Sequence, residues 1–229
     1  MLIGTDCGEQ TDGFSHARQL TWSSSRKDET QLRQFIQLAY GHEFGAQIPT
    51  FLPWLLGIYD KHGQLCAACG VQPAQSAMLF LEQYLNEPVD KQLSTLLAQP
   101  VPRNGIVEIG NFAARDGGAA RIMFAGICLL LSAYGFSHIA FTGTKKIRNI
   151  FNRLRMQPVA LGPALASRLA HPEANWGSYY QHQPVVMAGS LAHGMDVLRH
   201  QSMLLTLFRE LPSAPWFDEK ERNHVYLGA

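Results

Sequence analysis

Residues 113–121 read AARDGGAAR and follow an apolar run, IVEIGNFA, that holds a single carboxylate, Glu108. Arg115, Gly117, Gly118, Ala119, Ala120 and Arg121 place small residues and positive charge at the start of a long apolar stretch. A helix N-terminus offers unpaired amide N–H groups and the positive end of its dipole, and glycines let a ligand come close to both. That makes a cradle for a phosphate or pyrophosphate. The same residues also make a tight turn capped by Asp116, whose charge repels a phosphate. Both readings stand on these residues alone. Glu108 is the second reactive type. Burying a carboxylate in an apolar strand is costly unless it is paired or protonated. Glu108 is therefore a candidate general base, directly or through water, or else part of a structural network such as a pair with Arg103.

Strand alternation places Glu108, Gly110 and Phe112 on one face and Val107, Ile109, Asn111 and Ala113 on the other. Backbone amides from Asn111 to Ala113 are candidates to polarise a reacting carbonyl, and Asn111 reads equally as a structural strand residue. In FLEQYLN, Glu82 and Asn86 are four apart and share a helix face, either lining an acceptor site or facing solvent. NWGSYYQHQP carries Trp176, Tyr179, Tyr180 and His182, an aromatic group that can wall a pocket or serve as half-buried packing. Lys145, Lys146, Arg148, Arg153 and Arg155 form a basic helix face, solvated or turned toward an anionic partner. The nine histidines show no ligand spacing, and no metal site is expected.

The elements that must position these residues follow from periodicity. DETQLRQFIQLAYGHEFGA has helical spacing. FLPWLLGIYDKHGQLCAACGVQPA reads as two strands joined by a turn at DKHG. LFLEQYLNEPVDKQLSTLLAQ reads as helical, interrupted at Pro88. Then come the strand IVEIGNFA, a central helix stopped near Gly135, the strand SHIAFTGT, the helix KKIRNIFNRLRM, a last strand PVVMAGSL and a closing helix from His193. A short strand is expected around Ala17–Trp22. The strand–helix–strand unit requires a right-handed parallel crossover, whereas the hairpin is antiparallel, so the sheet is mixed and covered by helices.

Composition narrows the classes. The 229 residues are 46% hydrophobic and 16% charged, the balance of a packed core rather than a disordered chain. A net charge of +1 gives no nucleic-acid footprint. Ile122–Phe136, about 15 residues, is shorter than the roughly 20 needed to span a bilayer, so a buried core helix is expected and no integral membrane segment. The N-terminus has no basic stretch leading into an apolar run, which points to a cytoplasmic location. The four cysteines, Cys7, Cys66, Cys69 and Cys128, make one CxxC in a strand-like stretch, read as small buried thiols rather than half a zinc site.

RDGGAA fits the pattern Arg/Gln-x-x-Gly-x-Gly/Ala through Arg115, Gly118 and Ala120. It resembles the acyl-CoA loop of the GNAT acyltransferases, at the matching strand–loop–helix position. The resemblance implies that loop amides hold the pyrophosphate of coenzyme A and that the pantetheine arm runs beside IGNFAA, past Phe112 and Ala113. Thr144 stands where that family commonly has an asparagine. Phe151 replaces the tyrosine that often protonates the leaving thiolate, and Arg155–Met156 replaces a Gly-Phe pair. LFLEQYLNEPV, VEIGNFAA, FTGTKKIRNIFNRL and NWGSYYQHQPVVMAG together resemble the thermostable hemolysin family. Val107–Gly162 is also similar to the acyl-homoserine-lactone synthases. It keeps Glu108 and Phe112 of their Glu-x-Ser-Arg-Phe strand and lacks the serine and arginine.

These resemblances imply an α+β fold: a mixed, mostly antiparallel sheet with helices on both faces, in one GNAT-like domain over 1–229. A polar lead-in (1–28) and a closing helix and tail (190–229) flank it. They imply N-acyl transfer from acyl-CoA or the phosphopantetheine of an acyl carrier protein, used as co-substrate with no tightly bound cofactor, to a small-molecule amine. The basic helix would then meet the 3′-phosphate of CoA or the carrier protein. A membrane-lytic protein and a non-catalytic binder of the same fold are the alternatives.

Overall fold

A computed structural model describes residues 18–171, 175–200, 202–208 and 210–216. Seven strands form one sheet in the order β1-β2-β3-β4-β5-β7-β6. They are β1 (Gln19–Trp22), β2 (Trp54–Tyr59), β3 (Leu65–Pro73), β4 (Ile106–Ala114), β5 (His138–Gly143), β6 (Val159–Pro163) and β7 (Val185–Ser190). Every pairing is antiparallel except β4 with β5. That one parallel step is the crossover expected around the central helix. Strand β6 was not anticipated: VALGP is short, and its alternation is broken by a register shift against β7.

Helices cover both faces. On one lie α3 (Gly117–Ala133), α4 (Lys145–Arg153) and α5 (Leu191–Arg199), packed over Leu56, Val71, Val107, Ile109 and Phe141. On the other lie α1 (Arg26–Phe44), over Leu55, Ala68 and Ala113, and α2 (Val89–Leu97), over Ile106, Ala140 and Val186. The segment read as one interrupted helix is two pieces, a 3-10 turn at Phe80–Tyr84 and then α2, with Pro88 at the N-cap of the second. Proline fixes its own φ and has no N–H to give to a preceding turn, so the break falls there. The closing helix is also shorter than expected, ending at Arg199 before a four-residue α6 (Ser202–Leu205). Cys7 and most of the lead-in and tail lie outside the described residues. Cys66, Cys69 and Cys128 are free and buried, as read from their apolar setting. Burial pushes the Cys128 thiol up to about 12, so it stays a neutral thiol.

Two features of β4 open the sheet. Its pairing with β5 covers only Ile106–Ile109 against His138–Phe141. Beyond Ile109 the two strands fork, and among the described residues no strand pairs with 110–114 on that side. On its other side, the register with β3 slips between Ala68 and Gly70, so that Asn111 and Phe112 stand opposite Cys69 alone. This is a β-bulge, and Asn111 takes a left-handed φ of 50° in it. An extra residue reverses the alternation beyond it. The expected facing is corrected accordingly. Phe112 joins Val107 and Ile109 on the α3 face, while Ala113 lies on the α1 face with Glu108. Periodicity cannot see a bulge, because it counts residues and not partners.

Candidate active site

A cavity of about 1120 Å³ passes through the fork and has walls on both faces of the sheet. On the α3 face its wall is a chain of rings. Phe112 stacks on Phe124 with centroids 4.7 Å apart and planes within 3°. Phe124 meets Phe151 at 4.5 Å, and Phe151 meets Phe141 at 4.8 Å. Phe151 is buried in this stack, so the position that resembles a tyrosine site is filled by packing and holds no hydroxyl.

On the α1 face the wall holds Glu108, Tyr84, Phe80, Trp176 and Tyr179. Glu108 is 3% exposed. Its Oε1 accepts from the Leu81 amide at 3.1 Å, while Oε2 has no partner among the described residues. Burial pushes its carboxyl up to about 8, against the opposing effect of the Leu81 and Phe80 amides; nearby Glu82 adds to the rise. A carboxyl poised near neutrality in a cavity has the property a proton-transfer group needs. Tyr84 shares a 2.7 Å hydrogen bond with the Tyr180 hydroxyl, and burial holds Tyr84 well above the ordinary phenol range.

The expected pairing of Glu108 with Arg103 is not formed. Arg103 instead grips Glu82 with two nitrogens, at 2.6 and 2.8 Å, and Asp90 at 3.0 Å. Glu82 also accepts from the Leu79 and Val89 amides, both at 2.8 Å. Burial alone would raise its pKa, but Arg103 and those amides hold it below the ordinary value, so it is an ionised structural clamp. Asn86 lies past the turn and accepts from Arg168 at 2.6 Å. The idea that Glu82 and Asn86 share a helix face is therefore corrected: the backbone is a 3-10 turn that ends before Asn86, and both side chains hold loops.

Asn111 lines the cavity, but its side chain is engaged. Its Oδ1 accepts from the Leu52 amide at 2.8 Å and its Nδ2 donates to the Thr50 carbonyl at 3.0 Å. It pins residues 50–52 across β3 and β4. Glycine is needed there, since a Cβ on Gly70 would stand 2.8 Å from both Asn111 Oδ1 and Leu52 Cβ.

The loop closes the far mouth of the cavity. Arg115, Asp116, Gly117 and Ala120 line it, and Thr144 lines the opposite lip where β5 hands over to α4. Gly118, Ala119 and Arg121 fall outside the lining. Asp116 is the N-cap of α3, and its Oδ1 accepts from the Ala119 amide at 2.8 Å, which removes one donor from any cradle. A Cβ on Gly117 would meet nothing within 4 Å, so no packing demands glycine there. From the basic helix, Lys146 reaches the cavity wall and pairs with Glu43 of α1 at 2.9 Å.

Of the aromatic group in NWGSYYQHQP, Trp176 and Tyr179 line the cavity. Gly177 lets this segment in: at φ 51° its backbone lies so close to Phe44 that an added Cβ would collide with the Phe44 carbonyl. The Ser178 amide donates to that carbonyl at 2.8 Å. A Trp-Gly-Ser-Tyr string between polar residues was the available signal.

The sequence model of the thermostable hemolysin family matches residues 22–195. The chain belongs to that family. None of the curated proteins matches it in sequence. Among solved structures it is similar to TofI in a ternary complex with an inhibitor and MTA, at 16% identity and a TM-score of 0.52, covering 80% of this chain and 96% of that one. It is similar to FeeM, an N-acyl amino acid synthase from uncultured soil microbes, at 13% identity and a TM-score of 0.56, covering 80% and 96%. It is similar to BjaI, a CoA-dependent acyl-homoserine lactone synthase, at 12% identity and a TM-score of 0.55, covering 86% and 92%. At these identities the likeness shows the fold, which is that of the GNAT-like acyltransferases.

Proposed function

We propose that this protein is an N-acyltransferase that moves an acyl group from a phosphopantetheine thioester, on CoA or an acyl carrier protein, to an amine. The observation that carries the reading is the forked cavity, which joins the loop at 115–117 to the buried carboxyl of Glu108 through one continuous space. The free edge of β4 beyond Ile109 offers backbone groups to an extended pantetheine arm, and the loop with its arginine receives the phosphates. The Phe112, Phe124, Phe141 and Phe151 wall takes an acyl chain by burial of apolar surface.

Glu108 moves the proton. Its ionised form takes one from the acceptor ammonium, and the free amine attacks the thioester carbon. The C–N bond forms as the C–S bond breaks. Glu108, now protonated, gives that proton to the departing thiolate, and the second proton, left on the acylated nitrogen, passes to solvent. A carboxyl near 8 suits a thiol of ordinary pKa about 8.5. Phe151 has no proton to give, so this route needs none from it. Amides at the Asn111–Ala113 bulge stabilise the developing oxyanion, while the Asn111 side chain keeps the bulge in shape.

The test is thermal unfolding with CoA, long-chain acyl-CoA and acylated carrier protein. A donor at about 100 times its Kd adds roughly 2.7 kcal/mol, and Gly117→Asp, which has room for its side chain but brings a charge into the cradle, removes that gain. An absence of any shift with every donor overturns the reading.

A further inference from the structure

The two ends of the cavity differ in charge. At the Glu108 end, Tyr84, Phe80, Trp176 and Tyr179 form a run of rings with successive centroids 6.2, 6.2 and 5.7 Å apart, and Tyr40 follows Tyr179 at 6.1 Å. Glu108 lies against this run through the Leu81 amide next to Phe80. Two buried polar atoms here have no partner among the described residues: Glu108 Oε2 and Trp176 Nε1. Arg115 and Lys146 of the cavity wall are each paired with a carboxylate, Asp116 and Glu43. Arg115 is seven residues along the chain from Glu108, about 20 Å at strand rise. Lys146 lies beyond the end of β5.

We propose, on the acyl-transfer reading above, that the Glu108 end takes a primary amine carried on an aromatic or apolar body without a carboxylate. The amine nitrogen meets Oε2 of Glu108, and ring faces stabilise its positive charge. The body packs edge and face against Phe80, Trp176 and Tyr179. The Trp176 N–H is left to donate to a neutral oxygen on that body. A carboxylate beside the amine fits badly. It would enter next to Glu108, where burial already holds Glu108, Tyr84, Tyr179 and Tyr40 toward their neutral forms. Arylalkylamines are therefore accepted, and the amino acids that share their side chains are rejected.

Calorimetric titration of the full chain with phenethylamine, phenylalaninamide and phenylalanine tests this. The first two bind, and phenylalanine binds about a hundredfold more weakly, the penalty of an uncompensated buried charge. Glu108→Gln abolishes phenethylamine binding. Should that variant fail to fold, the comparison of the three ligands on the natural chain decides alone. Trp176→Phe keeps the ring and removes any preference for tyramine over phenethylamine. Phenylalanine binding as well as its amide, or no binding of any amine by a protein that binds acyl-CoA, overturns the inference and leaves acyl transfer standing. Amine binding with no donor binding does the reverse.

Discussion

The Leu81 amide donates to one oxygen of Glu108 at 3.1 Å, and the other oxygen of that carboxyl, a residue of the cavity wall, is buried with no partner among the described residues. One oxygen is held and the other is unpaired. That is how a turn can orient a proton-transfer group without neutralising it.

Glu108 makes stability depend on pH in a defined direction. Its carboxyl lies at about 8 in the folded chain against an ordinary 4.5, because burial disfavours the charge. Between those values the unfolded chain has lost the proton and the folded chain retains it. The contribution is fully present below 4.5 and is lost as pH rises through 8, at about 1.4 kcal/mol per pH unit. Glu108→Gln keeps the acceptor for Leu81 and cannot ionise. Its unfolding free energy therefore falls less than the natural chain's between pH 5 and 8, as denaturant titration would read. Parallel pH profiles for the two proteins would refute a buried neutral carboxyl.

The same group sets the pH profile of transfer. On the proposed reaction the reacting form is the carboxylate, and Glu82 is the acidic neighbour that adds to the effect of burial on it. The rate at low acceptor concentration rises about tenfold per unit up to pH 8 and then levels. A rate that is flat from pH 6 to 9 would assign the proton to another group.

Arg103 is predicted to matter for activity without touching substrate. It fixes Glu82, which in turn holds the Leu79 amide at the start of the turn that presents Leu81 to Glu108 and the Val89 amide at the start of α2. The Glu82 side chain is 6% exposed. Arg103→Ala leaves that charge buried and unpaired, at about 3 kcal/mol of stability. It also shifts the pKa of the rate profile, because the turn no longer fixes Glu108. Arg103→Lys recovers part of the stability and less of the profile, since lysine cannot grip both carboxylate oxygens. Unchanged pKa values in a folded Arg103→Ala protein would reduce the clamp to a purely structural role.

The parts legible in the sequence were those that depend on local spacing. The central apolar helix, the strand before it, the buried thiols and the Asp116 cap all follow from composition and period. The unanticipated parts depend on partners. Phe112 sits on the other face because Cys69 alone stands opposite two residues, and no spacing within β4 records that. Glu82 looked like a solvated or site residue because Arg103 is 21 positions away in the chain. The Glu108 site itself was visible as a lone carboxylate in an apolar run. Trp176 and Tyr179 were visible as an aromatic group able to wall a pocket, but their place beside Glu108 was not, because they arrive through a contact between Gly177 and the end of α1.

Phe151→Tyr tests whether the missing tyrosine can be restored. The ring lies between Phe124 and Phe141 in a fully apolar stack. A hydroxyl placed there loses water and gains no partner, at about 1–3 kcal/mol. The variant is expected to be less stable and no faster, as thermal unfolding and single-turnover transfer would show. A faster variant would mean that a hydroxyl at this position supplies the thiolate's proton better than Glu108 does, and that this step limits transfer in the natural chain.

The family description names a lytic activity, and the proposed acyl transfer offers an indirect source for one. Among the described residues no helix is long and apolar enough to cross a membrane. The most apolar helix, α3, is enclosed, with Met123, Ile127 and Leu130 fully buried. An acyl chain joined to an amine is itself an amphiphile that can disrupt a bilayer. Purified protein alone is therefore expected to leave dye-loaded liposomes intact, with leakage beginning only when both acyl donor and amine are supplied and rising with product. Glu108→Gln should suppress product and leakage together. Leakage by the protein without either substrate would separate lysis from acyl transfer and make it a direct property of the chain.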